Sequence, residues 1–131
     1  MNILVGYNGS NESKGALRTA QMHAKELGAK IEVATAINRL SPLDYSKIQE
    51  AEQELDWGAK EILNGDSAFY ETHLLVSDLS PGYQLLKFAE RYHIDEIIIG
   101  APKRSRLGKF LLGSTAQYIV LNAPCPVVTV N

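Results

Sequence analysis

The chain alternates short unbroken apolar runs with longer stretches whose apolar residues recur every three or four positions. The first kind of pattern predicts buried strands and the second amphipathic helices. Ile3-Leu4-Val5 runs into Gly6 and predicts a strand over 2–6. Ala16, Leu17, Ala20, Met22, Ala24 and Leu27 then make a helical stripe, with Ser10 or Asn11 as its cap and Gly28 as its stop. The β-branched run over 30–37 is a second strand. Ser41-Pro42 opens a longer connection into a second helix that ends at Leu63, with Ile48, Ala51, Leu55, Ala59 and Ile62 on its apolar face and Asn64-Gly65-Asp66 behind it. Residues 39–45 read as the most mobile segment. Thr72 to Val76 is a third strand. Ser80-Pro81 begins a third helix, which packs through Leu85, Leu86, Phe88, Ala89 and Tyr92. Glu96 to Ile99, Ser114 to Leu121 and Val127 to Val130 follow as strand, helix and strand.

Strand and helix alternate from end to end, which predicts one α/β domain over 1–131, a parallel sheet with helices on both faces. Ile97-Ile98-Ile99 is apolar throughout, as a central strand buried on both sides must be. The sequence contains no internal repeat, low-complexity tract or linker.

Two loops carry candidate chemistry. Gly6-Tyr7-Asn8-Gly9-Ser10 follows the first strand, and ligands of doubly wound sheets sit beyond carboxyl strand ends where the winding reverses. The same residues also suit a plain turn and helix cap. The second stretch runs from Gly100 to Thr115. It places Lys103, Arg104, Arg106 and Lys109 before Gly113-Ser114-Thr115, which opens the fourth helix. A glycine and hydroxyls at a helix N-terminus suit an anion. Lys103 can act in either of two senses: it can reach a phosphate as a point charge, or fill space that a backbone needs for close approach.

Other patterns are set aside on spacing. Gly108-Lys109 is followed by Phe110, so no Walker-type loop is present. His23, His73 and His93 lie in separate segments without metal-ligand spacing and read as surface or half-buried residues. Cys125 reads as a small packed group, and Trp57 as a packing residue beside the second helix's apolar face. No catalytic serine, histidine and acid set is recognisable, and no metal site is expected.

Composition narrows the functional classes. With 13 Lys+Arg against 15 Asp+Glu the formal net charge is -2, unlike that of a dedicated nucleic-acid binder. No apolar run approaches the roughly 18 residues of a membrane span. The start MNILVGYNGS lacks the pattern of a signal peptide, so a cytoplasmic location is expected.

The two loops and the chain's end carry a resemblance. ILVGYNGSNES at the start and GSTAQYIVLNAPCPVVTV at the end resemble the universal stress proteins, over essentially the whole chain. That family's nucleotide signature is Gly, two residues, Gly, nine residues, then Gly-Ser. Gly100 and Gly113-Ser114 keep the register, while Lys103 stands at the middle glycine and Asn8 where an aspartate is usual. The resemblance implies a flavodoxin-like, Rossmann-type sheet of five strands in the order 3-2-1-4-5, a homodimer, and in some members ATP. It implies that Gly6, Tyr7 and Asn8 border adenine and ribose, with Ala36 and Ile99 near the base. Gly100, Gly113, Ser114 and Thr115 would hold ribose and phosphates, with Lys103 beside them. ATP or another adenine nucleotide is the implied cofactor, and magnesium would enter only with it. Asparagine at position 8 keeps hydrogen bonding without the charge that favours a metal.

Three functions fit these features. One is a nucleotide-responsive stress-response module without turnover of its own. The others are a dimeric interaction protein with a vestigial pocket and an enzyme acting at an α-phosphate. The uncharged, β-branched end from Pro126 to Val130 is expected at a sheet edge, free to pair with a second copy.

Overall fold

The computed structural model describes residues 1–39, 45–64, 69–101, 103–104 and 110–131, with backbone alone at 103–104 and 110–111. Strands β1 (Asn2–Gly6), β2 (Lys30–Asn38), β3 (Tyr70–Ser77), β4 (Glu96–Gly100) and β7 (Val127–Val130) form one sheet in the order β3-β2-β1-β4-β7. Every pairing in it is parallel. Helices α1 (Asn11–Leu27), α2 (Tyr45–Leu63), α3 (Pro81–Arg91) and α4 (Ser114–Asn122) connect and cover the strands. This is the expected α/β, flavodoxin-like architecture.

The period-2 alternation of the strands sorts the core into two layers. Ile3, Val5, Ile31, Val33 and Ile98 point to α1 and α2, where they meet Leu17, Ala20, Leu55 and Leu63. Leu4, Ala34, Ile97 and Ile99 point the other way and pack on Leu85, Phe88 and Ile119 of α3 and α4. Both layers are closely buried, and each fully buried branched side chain is worth about 1.5–3 kcal/mol of apolar transfer. Helix α1 starts where Ser10 Oγ accepts the backbone N–H of Ser13 at 3.1 Å. It ends at Gly28, whose φ of 64° is a left-handed stop.

Some side chains face otherwise than the sequence suggests. Met22 and Leu27 of the α1 stripe are exposed. Met22 lies about 140° around the helix from Leu17, so it cannot share that residue's buried face. Trp57 is exposed rather than packed, because Leu55, Gly58 and Ala59 are the positions that α2 turns to the sheet. The basic stretch also contains a short antiparallel pair, β5 (Lys103–Arg104) with β6 (Phe110–Leu111), where the sequence suggested only a loop. Ser41-Pro42, Gly65-Asp66, Arg106 and Lys109, and the body of the segment expected to be mobile, lie outside the described residues.

Candidate functional site

Strand β1 has β2 on one side and β4 on the other, so the direction of winding reverses between β1 and β4. A cleft of about 530 Å³ opens there, at the carboxyl ends of the strands. Gly6, Tyr7, Asn8, Ala36, Ile99, Gly100, Gly113, Ser114 and Thr115 all border it, although they come from four separate parts of the chain. Lys103 is described only by its backbone, in β5.

One half of the cleft is apolar. Ala34 and Ala36 of β2, Ile99 of β4, Leu85 of α3 and Ile119 of α4 line it. Small residues on β2 leave the width, and the branched ones supply flat apolar contact. Gln84, itself buried, braces this side by donating to the carbonyls of Ile37 at 2.9 Å and Leu79 at 2.8 Å. The β2 end and the β3–α3 connection are thereby tied together.

The β1–α1 loop satisfies much of its own polarity. Asn8 Oδ1 accepts the Ser10 N–H at 3.0 Å, and Ser13 Oγ donates to the Ser10 carbonyl at 2.9 Å. The carbonyl of Tyr7 accepts Thr35 Oγ1 at 2.8 Å. The Tyr7 ring belongs to the α1/α2 layer and not to the apolar half of the cleft. Its hydroxyl donates to Glu54 Oε1 at 2.8 Å, and burial, reinforced by that carboxylate, raises the phenol above its ordinary pKa. Gly58 makes room for this ring: a Cβ there would lie 2.0 Å from the Tyr7 hydroxyl. Gly58→Ala is therefore expected to destabilise by about 1–3 kcal/mol despite alanine's higher helix propensity. Tyr7→Phe in the same chain should return part of the loss in urea unfolding. Equal losses with and without the phenol would sink this reading.

The two signature glycines do different work. A Cβ on Gly100 would stand 2.7 Å from the backbone of Glu12 and Ser13, so Gly100 lets the first turn of α1 lie directly on β4. A Cβ on Gly113 would meet nothing within 4 Å. Gly113 is the N-cap of α4, and among the described residues no side chain caps that helix. The first-turn N–H groups of α4 therefore face the cleft without a side-chain acceptor, beside the hydroxyls of Ser114 and Thr115. Among the described residues the lining contains no lysine, arginine or histidine, and Glu12 is its sole carboxylate.

A second polar constellation lies on the α3 face. His73 Nε2 is 2.5 Å from Glu32 Oε2, and Lys30 Nζ is 3.0 Å from Glu32 and 3.2 Å from Glu71. Glu32 is buried, and the Lys30 ammonium and the His73 ring nitrogen beside it offset the cost of its desolvation. The His73 ring also packs on Phe88, 4.7 Å between centroids. Glu32, Glu71 and His73 offer ligand atoms within 4.8 Å of one another, so three residues that spacing kept apart do meet. Only Glu71 and His73, two apart on β3, carried a signal; Glu32 joins them through the β2–β3 register. Lys30 already bridges the two carboxylates, which makes the cluster an ion-pair node.

The family model described as Universal stress protein family matches residues 1–131. Universal stress protein MJ0531 of Methanocaldococcus jannaschii is 26% identical over 148 residues, covering 98% of this chain and 81% of that protein. The structure of a universal stress protein from Archaeoglobus fulgidus superposes with a TM-score of 0.88 at 29% identity, covering 99% of this chain and 97% of the other. A universal stress protein of the same organism in complex with dAMP gives 0.80 at 26% identity, covering 99% and 96%. The fold and a match along the full length converge: the chain belongs to the universal stress protein family.

Proposed function

We propose that this protein is an adenine-nucleotide-responsive module of the stress response, acting by binding and not by turnover. The observation that carries the reading is one cleft with two ends of different chemistry. An apolar slot between β2, β4, α3 and α4 suits a base, and the uncapped N-terminus of α4 suits a phosphate. The relative in complex with dAMP supports an adenine ligand for such a cleft. Gly6, Asn8, Ala36 and Ile99 would border the nucleoside. Gly113, Ser114 and Thr115 would take the phosphate, with Lys103 beside them, and magnesium would enter only with the nucleotide. Titration calorimetry of the purified protein with AMP and with adenosine tests this. AMP should bind, and more tightly than adenosine; absence of heat and of thermal stabilisation with either ligand would refute it.

The interaction-protein reading draws on one feature. The Asn8 oxygen and the Ser10 hydroxyl are engaged within the β1–α1 loop, leaving fewer acceptors for a ligand there. A cytoplasmic location is part of the proposal, in keeping with the unpaired Cys125.

We also propose a homodimer through β7, an edge strand. The N–H of Ile97 donates to Pro126 O and that of Ala101 to Val130 O, so residues 126, 128 and 130 direct their backbone groups to β4. Positions 127 and 129 then present theirs to the open edge. Thr129→Pro should remove one outward N–H and give monomers in light scattering. Val128→Pro would instead break the ladder within the chain. A Thr129→Pro protein that remains dimeric would place the contact elsewhere.

A further inference from the structure

Glu32 occupies a core position of β2. Leu4 stands opposite it in the β1–β2 register and Ala34 follows it on the same face, and both belong to the apolar layer under α3 and α4. A buried ion pair is a poor source of stability, because apolar side chains of like volume commonly do as well or better. A carboxylate kept at such a position points to a task, and the atoms around it show which kind. Each carboxylate of the cluster divides its two oxygens. Lys30 Nζ takes Oε1 of Glu32 at 3.0 Å and Oε1 of Glu71 at 3.2 Å. Both Oε2 atoms are left to His73 Nε2, at 2.5 Å from Glu32 and 4.0 Å from Glu71. The ammonium and the ring nitrogen therefore do not compete for the same atoms.

We infer that Glu32, Glu71 and His73, none of which lines the cleft, form a second binding site, for a divalent transition ion of the zinc class. The ion takes one Oε2 from each carboxylate and Nε2 from His73, and water fills the fourth position. It replaces the hydrogen that joins Glu32 to His73, and the neutral ring keeps its proton on Nδ1. Around a tetrahedral ion with bonds of about 2.0–2.1 Å, ligand atoms stand about 3.3 Å apart. The separations of 2.5 and 4.0 Å lie on either side of that value, so small side-chain rotations complete the site. Phe88 and Tyr92 flank the imidazole at 4.7 and 5.6 Å between centroids and hold it in place. Lys30 stays on the two Oε1 atoms as the outer partner that orients both ligands. Two carboxylates against one ammonium leave a negative charge when the ring is neutral, and residues 65–68, which lead into β3, bring no lysine, arginine or histidine. Imidazole among the ligands selects zinc over magnesium or calcium, which prefer oxygen alone. Glu71 is exposed on an edge strand, so an ion can enter without parting the core. Its ligands come from β2 and β3, and the ion fastens that edge strand to its neighbour.

The test is zinc titration of the whole protein, stripped with EDTA and free of nucleotide, read by calorimetry and by the imidazole nitrogen resonances. One zinc per chain should bind and raise the melting temperature. The His73 Nε2 resonance should move, while those of His23 and His93 stay. Glu71→Gln removes an exposed ligand without touching the core and should weaken zinc binding by about tenfold or more. His73→Gln should weaken it by about a hundredfold, so that the two losses match or exceed those typical of outer partners. Wild type that takes up no zinc overturns the inference. So does an affinity unmoved by Glu71→Gln, a variant whose fold is not at risk, or zinc that shifts His23 or His93 in place of His73. In those cases the cluster is an ion-pair node alone. The site does not depend on the cleft, so each of these results leaves the nucleotide reading standing.

Discussion

Gly100→Ala is expected to cost about 3 kcal/mol of stability, near the upper end for inserting one methyl group into a packed interior. The added Cβ would meet the main chain of Glu12 and Ser13 at 2.7 Å. Main chain in a capped first turn cannot swing aside as the end of a side chain can. Relief would require α1 to lift from β4, and Ala16, Leu17 and Ala20 are fully buried beneath that helix. For a domain of this size the loss corresponds to a melting point lower by roughly 10 °C. Thermal unfolding of the ligand-free variant checks it. A melting point unchanged within a degree would show that α1 can rise freely, and Gly100 would then have to be explained by a ligand.

Gly113→Val is expected to have the opposite signature, with binding lost and the fold kept. Its φ of −61° and ψ of 160° are open to any residue, and a Cβ there meets nothing within 4 Å. Valine is a poor N-cap, so a cost of about 1 kcal/mol is expected. The branched side chain would, however, stand at the mouth of the uncapped α4 turn, where a phosphate must come within hydrogen-bond distance of the main chain. Losing one or two charge-assisted hydrogen bonds, each roughly 1.5–3 kcal/mol, lowers AMP affinity by about a hundredfold or more. The affinity of adenosine, which has no phosphate, should change far less. A folded Gly113→Val protein that binds AMP as wild type does would move the phosphate away from α4.

Together these two variants separate roles that a shared signature merges. Gly100 and Gly113 stand thirteen residues apart in one motif. In the folded chain Gly100 admits a helix, while the space beside Gly113 is open.

The sequence alone determined the sheet. Each strand is a short β-branched or aliphatic run and each helix a stripe of period near 3.6, and such local patterns fix element type before any long-range contact forms. Alternation then left a parallel, doubly wound arrangement, in which Gly6 and Gly100 marked the strand ends, and Gly113 the helix start, where a cleft belongs. Tertiary structure decided what periodicity cannot encode. It turned the Tyr7 ring away from the cleft's apolar half onto Glu54, because Gly58, fifty-one residues on, supplies the space. It exposed Trp57, since only one arc of α2 meets the sheet. It gathered Glu32 with His73 through the β2–β3 register, and set Glu12 at the cleft by pressing α1 onto Gly100. Each of these depends on which surfaces are brought together across the fold, and a residue's own neighbours in sequence carry no record of that.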